Sequence, residues 1–253
     1  MDPLLAAHAA HPPVNPTIAA SLEPPSLTGW PQWQASCVNR LKRAGLRELH
    51  ASEAGERLLL HVYWVGEQVT EIALCHPSFT DRPVWLERQM AQHLADEQRH
   101  TQSFEDALRA RGAVPATQPP RADALSRWKI WRWQRLATSF APRFAQGAWV
   151  PAFAIGLCAE QMATRVLTRH CDAIGDQHPL YPLLSSVLAD EARHVRMCQH
   201  TLTRMVQPGE QAALVALLAQ VRAVDRAFGI TGALGLLLAA WVLRLMRWAR
   251  PQR

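Results

Sequence analysis

From about residue 52 onward, apolar positions recur every three or four residues in blocks much longer than strands, and prolines or glycines close each block. The pattern predicts a first long helix over about 52–76, starting at Ser52 as N-cap and stopped by Pro77. A second runs over about 83–111, begun by Asp81 to Pro83 and ended by Gly112. Residues 113 to about 145 carry Pro115, Pro119, Pro120 and Pro142 around a shorter helix, Ala122 to Thr138, and read as a long crossover. A third long helix follows over about 150–173 with Gly175 after it, and a fourth over about 179–206 with Pro208 after it. A last helix, apolar then basic, covers about 209–249 ahead of Pro251. The runs are Leu- and Ala-rich, so the expected class is all-α: a four-helix bundle with one long crossover and an additional C-terminal helix. The domain expectation is a loose Pro-rich arm over 1–30, the bundle over 31–206, and the C-terminal helix over 207–253.

Composition narrows the setting. Cys37, Cys75, Cys158, Cys171 and Cys198 form no C-x-x-C pair and are odd in number, so neither a disulfide framework nor a zinc or rubredoxin-type cluster is indicated and they read as reduced thiols. No Lys or Arg precedes Arg40 and seven prolines fall in the first 31 positions, so no secretory leader is expected and the predicted location is cytoplasmic. A net charge of +6 suits an anionic partner but speaks to association, not fold, and Arg-rich composition alone is weak support.

The chemistry lies in a repeat. Residues 94–100 read Leu-Ala-Asp-Glu-Gln-Arg-His and residues 188–194 read Leu-Ala-Asp-Glu-Ala-Arg-His, six identities in seven at an offset of 94. Chance gives Asp-Glu-x-x-His odds on the order of one in ten thousand per position, so two copies here are not accidental. Glu67 stands thirty residues before Glu97, and Glu160 thirty-one before Glu191, each inside an apolar helix. A Glu and a His three apart share one helix face, about 5–6 Å between Cβ atoms, close enough to hold one metal ion.

Buried carboxylates need cations, because each unpaired ion costs several kcal/mol. The six residues Glu67, Glu97, His100, Glu160, Glu191 and His194 therefore predict two metal ions, with oxygen and nitrogen donors that suit iron or manganese. Asp96 and Asp190, each next to a ligand Glu, are placed to accept the free N–H of a ligand histidine. Glu71, one turn past Glu67, is a rival for the first position; the parallel with Glu160 favours Glu67. His93 and His200, one turn from the motifs, read as supporting or surface groups and not as ligands.

This set resembles the ligand pattern of the ferritin-like di-iron carboxylate superfamily over residues about 50–206. The resemblance implies two iron ions (Fe2 or Mn/Fe), a four-helix bundle and chemistry with O2 or peroxide; it names no substrate. Three departures narrow it. No rubredoxin cysteines are present, Phe104 stands where radical-forming members carry a tyrosine, and the chain is far shorter than methane-type subunits. What remains is similar to short hydroxylases or rubrerythrin-like members. The expected function is O2-dependent hydroxylation of an organic substrate, a lipophilic one if the C-terminal helix touches lipid, served by an external reductase, since no G-x-G-x-x-G or iron-sulfur spacing occurs. Ferroxidase or peroxide-scavenging iron handling is the alternative, and tRNA hydroxylation a second.

Two segments bear on partners. Trp128, Lys129, Trp131, Arg132, Trp133 and Arg135 suit a membrane interface or a packing helix equally; RNA stacking is the weakest option, since no wider basic tract accompanies them and nucleic acid is not the expected partner. Ala227 to Leu243 is apolar except Thr231, and seventeen residues fall short of the roughly 20 a bilayer span needs. A fifth helix on the bundle is the first reading there and a peripheral membrane helix the second.

Overall fold

A computed structural model of the chain describes residues 16–75, 83–113 and 123–249. Segments 1–15, 76–82, 114–122 and 250–253, with the helix-stopping Pro77, Pro115, Pro119, Pro120 and Pro251, lie outside the described residues. Among those described the protein is all helical: α1 (Pro16–Leu22), α2 (Gly29–His50), α3 (Glu53–Leu74), α4 (Val84–Arg109), α5 (Ala124–Phe140), α6 (Trp149–Ile174), α7 (Tyr181–Met205) and α8 (Gln211–Ala249), with one 3-10 turn at Ala141–Arg143.

The ends of the helices have local causes. Ser52 is extended at φ −154° and its side chain accepts the Gly55 N–H at 3.2 Å, which starts α3. Gly55 is required there: a Cβ on it would stand 2.1 Å from the Leu49 carbonyl oxygen, so only glycine lets α3 turn back so tightly against the end of α2. Asp123 caps α5 by accepting from the N–H groups of Leu125 and Ser126. Gly175, at φ +77°, closes α6 in the left-handed region.

α3 packs on α4 and α6 on α7, while contact between α4 and α7 joins the two pairs; α5 crosses between them over α6 and α8. Along these helices the layers alternate in register. Leu86 and Met90 of α4, Leu157 and Cys158 of α6, and Cys198 and Leu202 of α7 share one apolar cluster. Leu60 and Trp64 of α3, Phe104 and Leu108 of α4, Leu167 and Cys171 of α6, and Leu184 and Val187 of α7 share another. Each of α4, α6 and α7 thus crosses from one apolar layer to the other within a few turns, and the residues between are the acids and histidines of the motifs.

Residues 16–22, assigned above to the loose arm, form α1. Ile18 and Leu22, four apart on one face, are 3% and 1% exposed in the core, and the Arg222 guanidinium donates to the carbonyls of Ser21, Leu22 and Glu23 that the helix end leaves open. α2, which the sequence pattern does not mark, lies along α8; a Cβ at Gly45 would meet Leu236 at 3.1 Å, so the two helices approach closely.

α5 divides its aromatic residues between two environments. Trp133 packs against the core and, with Phe228, flanks the buried Lys129 ammonium at 4.1 and 4.4 Å from the ring centroids. Trp128 and Trp131 stay exposed. α8 is divided likewise: Ala240 is buried against Leu46, Leu49 and Leu59, and Leu236 and Leu243 pack on that cluster, whereas Leu234, Leu238, Trp241, Leu245 and Trp248 are exposed.

Candidate metal centre

Four helices deliver polar groups to the layer between the apolar clusters. α3 carries Glu67; α4 carries His93, Glu97 and His100; α6 carries Glu160; α7 carries Glu191 and His194. All six residues expected from the sequence meet there. One ligand atom from each of His93, Glu97, Glu160 and His194 lies within 4.8 Å of the others, and so does one from each of Glu67, Glu97, His100 and Glu191. Glu97 belongs to both groups, so a single carboxylate stands between two adjacent four-residue clusters.

In the first cluster His93 Nε2 is 3.0 Å from Glu97 Oε1 and 3.4 Å from Glu160 Oε1, and His194 Nδ1 is 3.3 Å from Glu97 Oε1 and 3.9 Å from Glu160 Oε2. In the second, His100 Nδ1 is 3.4 Å from Glu67 Oε2 and 3.9 Å from Glu191 Oε1. The His93 and His194 rings face each other with centroids 3.8 Å apart.

The aspartates work across the motifs. His100 Nε2 donates to Asp190 Oδ2 at 3.0 Å and His194 Nε2 to Asp96 Oδ2 at 3.4 Å, so each histidine is held by the aspartate of the other motif. Arg99 donates to Asp96 at 2.7 Å and to Asp190, and Arg193 donates to Asp96 at 3.1 Å and to Asp190. These four charges close a ring over the outer side of the site. Hydrogen bonds from Arg99 and its neighbours overcome burial and hold the Asp96 carboxyl far below the usual carboxylate range; His100, Arg193 and Arg99 do the same for Asp190.

The inner groups behave in the opposite way. Burial above all, then neighbouring carboxylates, pushes Glu97 up to about 10 and Glu191 up to about 11; burial, with Glu67 adding to it, brings Glu160 up to about 7. Burial, then His93, lowers His194 to about 3, while burial opposes but Glu67 and Asp190 raise His100. The outer ring is therefore fully charge-balanced and the inner one is not.

Polar atoms without partners mark where a cation fits. His100 Nδ1, His194 Nδ1 and Glu191 Oε2 are buried and accept no hydrogen bond. Because Asp190 and Asp96 take the N–H of each ring at Nε2, the Nδ1 lone pairs face the carboxylates, the arrangement metal-binding histidines require. Buried carboxyl groups and imidazoles with unpartnered ring nitrogens fit divalent metal ions with oxygen and nitrogen preference.

The structure revises one assignment. His93, read from sequence as a supporting or surface group, is 4% exposed and sits inside the first cluster. Its counterpart in the second motif is Val187, so the repeat gave no signal for it. Arg99 and Arg193 occur at the same place in both motifs, a signal that was present and received no role. Glu71 bonds Gln98 at 3.2 Å outside both clusters, and the His200 ring stands edge-on to Trp85 at 6.1 Å, also outside them. All five cysteines are free.

Compared with family models, curated proteins and solved structures, the chain matches none. Its class is set by the fold and the site: a helical bundle with buried His/Glu clusters that can hold metal ions.

Proposed function

We propose that this chain is a ferritin-like non-haem di-iron oxidoreductase, an O2-dependent hydroxylase acting on a lipophilic organic substrate. The observation that carries the reading is Glu97 lying in two adjacent four-residue clusters, so that its carboxylate would be within reach of both ions. Glu67, Glu97, His100 and Glu191 would hold one ion and His93, Glu97, Glu160 and His194 the other. When bound, two irons supply the electrons and Lewis acidity that O2 activation needs. The chain's own part is positional. Asp96 and Asp190 fix the histidine tautomers, Arg99 and Arg193 neutralise those aspartates, and the apolar layers on either side keep water away from the carboxylates.

The lipophilic substrate is supported by the outer face of α8. Leu234, Leu238, Trp241, Leu245 and Trp248 recur along one side of the helix, exposed, with Arg244 exposed beside them. The opposite side packs on α2 and α3, so the helix lies on the bundle and does not leave it. α8 is also the one described helix long and apolar enough, over Gln211–Met246, to cross a membrane by length and composition. A bilayer leaflet carrying anionic headgroups suits such a face, with the tryptophans at headgroup level.

The test is a single-turnover reaction of the Fe(II)-loaded protein with O2, with and without candidate lipophilic acceptors. Oxygen incorporated into an acceptor supports the reading. Iron oxidation of unchanged extent and rate whichever acceptor is added would instead favour iron handling.

A further inference from the structure

A second polar cluster lies at the end of the bundle where α2 runs into α3 and α6 into α7, and the site above uses none of it. It comprises His50, Glu56, Tyr63, His170 and His178. Gly55 makes it: the tight turn it permits sets the last residue of α2, His50, against the first turn of α3, where Glu56 stands.

The hydrogen bonds admit one consistent assignment. Arg111 Nε donates to Glu56 Oε2 at 2.7 Å, and although burial opposes it, this bond and that from His50 keep the Glu56 carboxyl below its usual range, an acceptor only. His50 Nδ1 therefore donates to Glu56 Oε1 at 3.2 Å, which leaves its Nε2 bare. His170 Nε2, in close contact with that atom, must donate to it, which leaves His170 Nδ1 to accept the Tyr63 hydroxyl at 2.7 Å. Burial lowers both imidazoles, His170 to about 3, so both are neutral at pH 7 as the assignment requires. His170 is 1% exposed, whereas the Glu56 and His178 side chains reach 14% and 20%, so the chain runs from interior to rim. At its inner end Tyr63 precedes Glu67 by one turn of α3 and stacks on Phe104, itself one turn past His100, at 5.4 Å.

We propose that Tyr63, His170, His50 and Glu56 form a proton relay that carries protons from the carboxylate layer outward to solvent. In one transfer a proton leaving that layer bonds to the Tyr63 oxygen as the original O–H breaks and Nδ1–H forms on His170. His170 Nε2–H then breaks as Nε2–H forms on His50, and His50 Nδ1–H breaks as O–H forms on Glu56. One proton moves, no net charge is left on the intermediate groups, and Glu56 releases it at the rim. For its purpose the relay rests on the di-metal reading, since ionising buried carboxyls to bind cations must release protons; its existence does not.

His50, Glu56 and His178 also lie close enough to suggest a metal site. Two contacts argue against it. The Leu180 N–H donates to His178 Nδ1 at 3.2 Å, so a neutral His178 carries its proton on Nε2, the atom 3.2 Å from Glu56, and offers no lone pair there. Arg111 already neutralises the single carboxylate.

The test is long-range 1H–15N NMR of the imidazoles in full-length, metal-free protein at neutral pH, with Tyr63→Phe as the isosteric variant. The relay predicts His170 protonated on Nε2, His50 on Nδ1, and a Tyr63→Phe shift of the His170 Nδ1 resonance. The opposite tautomers, or stoichiometric Zn2+ uptake at His50 and His178 in the metal-free protein, would overturn it. In stopped-flow with a pH dye, Tyr63→Phe should slow proton release on Fe(II) binding about a hundredfold with iron stoichiometry unchanged; an unaltered release rate contradicts the relay. Failure to bind iron at all would sink the di-metal reading and leave the tautomer result standing.

Discussion

His100 donates to Asp190 at 3.0 Å, a residue 90 positions away in the other copy of the motif. The reciprocal bond joins His194 to Asp96. The two copies are thus one interlocked unit, in which each half orients the imidazole of the other.

Replacing either aspartate with asparagine should therefore loosen the opposite histidine. Asp190→Asn is expected to weaken metal binding about 10- to 100-fold, the usual effect of losing a carboxylate behind a ligand histidine, with the loss felt mainly at the Glu67–His100 cluster. Competitive titration against a chelator measures it, and an affinity equal to wild type would count against the assignment.

His93 separates the sequence reading from the structural one. His93→Ala should remove one ligand from the Glu97–Glu160–His194 cluster and leave the other cluster whole, so metal content should fall from two per chain towards one. Elemental analysis reads this directly. Glu71→Gln, outside both clusters, should leave the content at wild type.

The pH dependence of the metal-free protein follows from the raised carboxyls. Glu160, Glu97 and Glu191 hold protons in the folded state at pH values where the unfolded chain has lost them, so their contribution is intact below about 4.5 and drains away as pH rises through about 7 and on towards 10. The lowered imidazoles of His194, His170 and His50 work the other way until they are neutral in the unfolded chain too, so thermal melts of metal-free protein should show Tm falling between about pH 6.5 and 8. Metal should abolish that trend by stabilising the ionised form. Asp96 and Asp190, held low, act in the other direction and only on acidification below about 4.

Gly55→Ala drives a Cβ into the Leu49 carbonyl and should cost about 2 kcal/mol, or a drop in Tm of roughly 5 °C for a chain of this size. Differential scanning calorimetry checks it; a gain in Tm would mean that the α2–α3 turn is not as tight as described.

Leu238→Ser with Trp241→Ser, both on the exposed side of α8, should leave Tm nearly unchanged and weaken sedimentation with vesicles containing anionic lipid. Equal sedimentation of variant and wild type would remove the membrane-facing role from α8.

Much of this molecule is legible in its residues. The long helices announce themselves because prolines and glycines bound them and because Leu86, Met90, Phe104 and Leu108 of α4 keep helical period on either side of the acids. The motif is legible because it is repeated. What repetition cannot supply is asymmetry: His93 faces Glu160 in one cluster while Val187 fills the equivalent place with hydrocarbon, so reasoning by offset passes over it. α2 is hidden for another reason. Its partner Leu236 is nearly two hundred residues away, and nothing local to residues 29–50 discloses that contact. α1 is short and proline-flanked, and its order depends on Ile18 and Leu22 finding the core and on Arg222 finding its carbonyls.

The most direct test of the central claim is an anaerobic Fe(II) titration of wild type beside Glu97→Gln, followed by Mössbauer spectroscopy after oxidation. A shared bridging carboxylate predicts two irons per wild-type chain, magnetically coupled to each other, and loss of that coupled pair in Glu97→Gln. Two uncoupled irons, one iron, or a coupled pair that survives the substitution would contradict it.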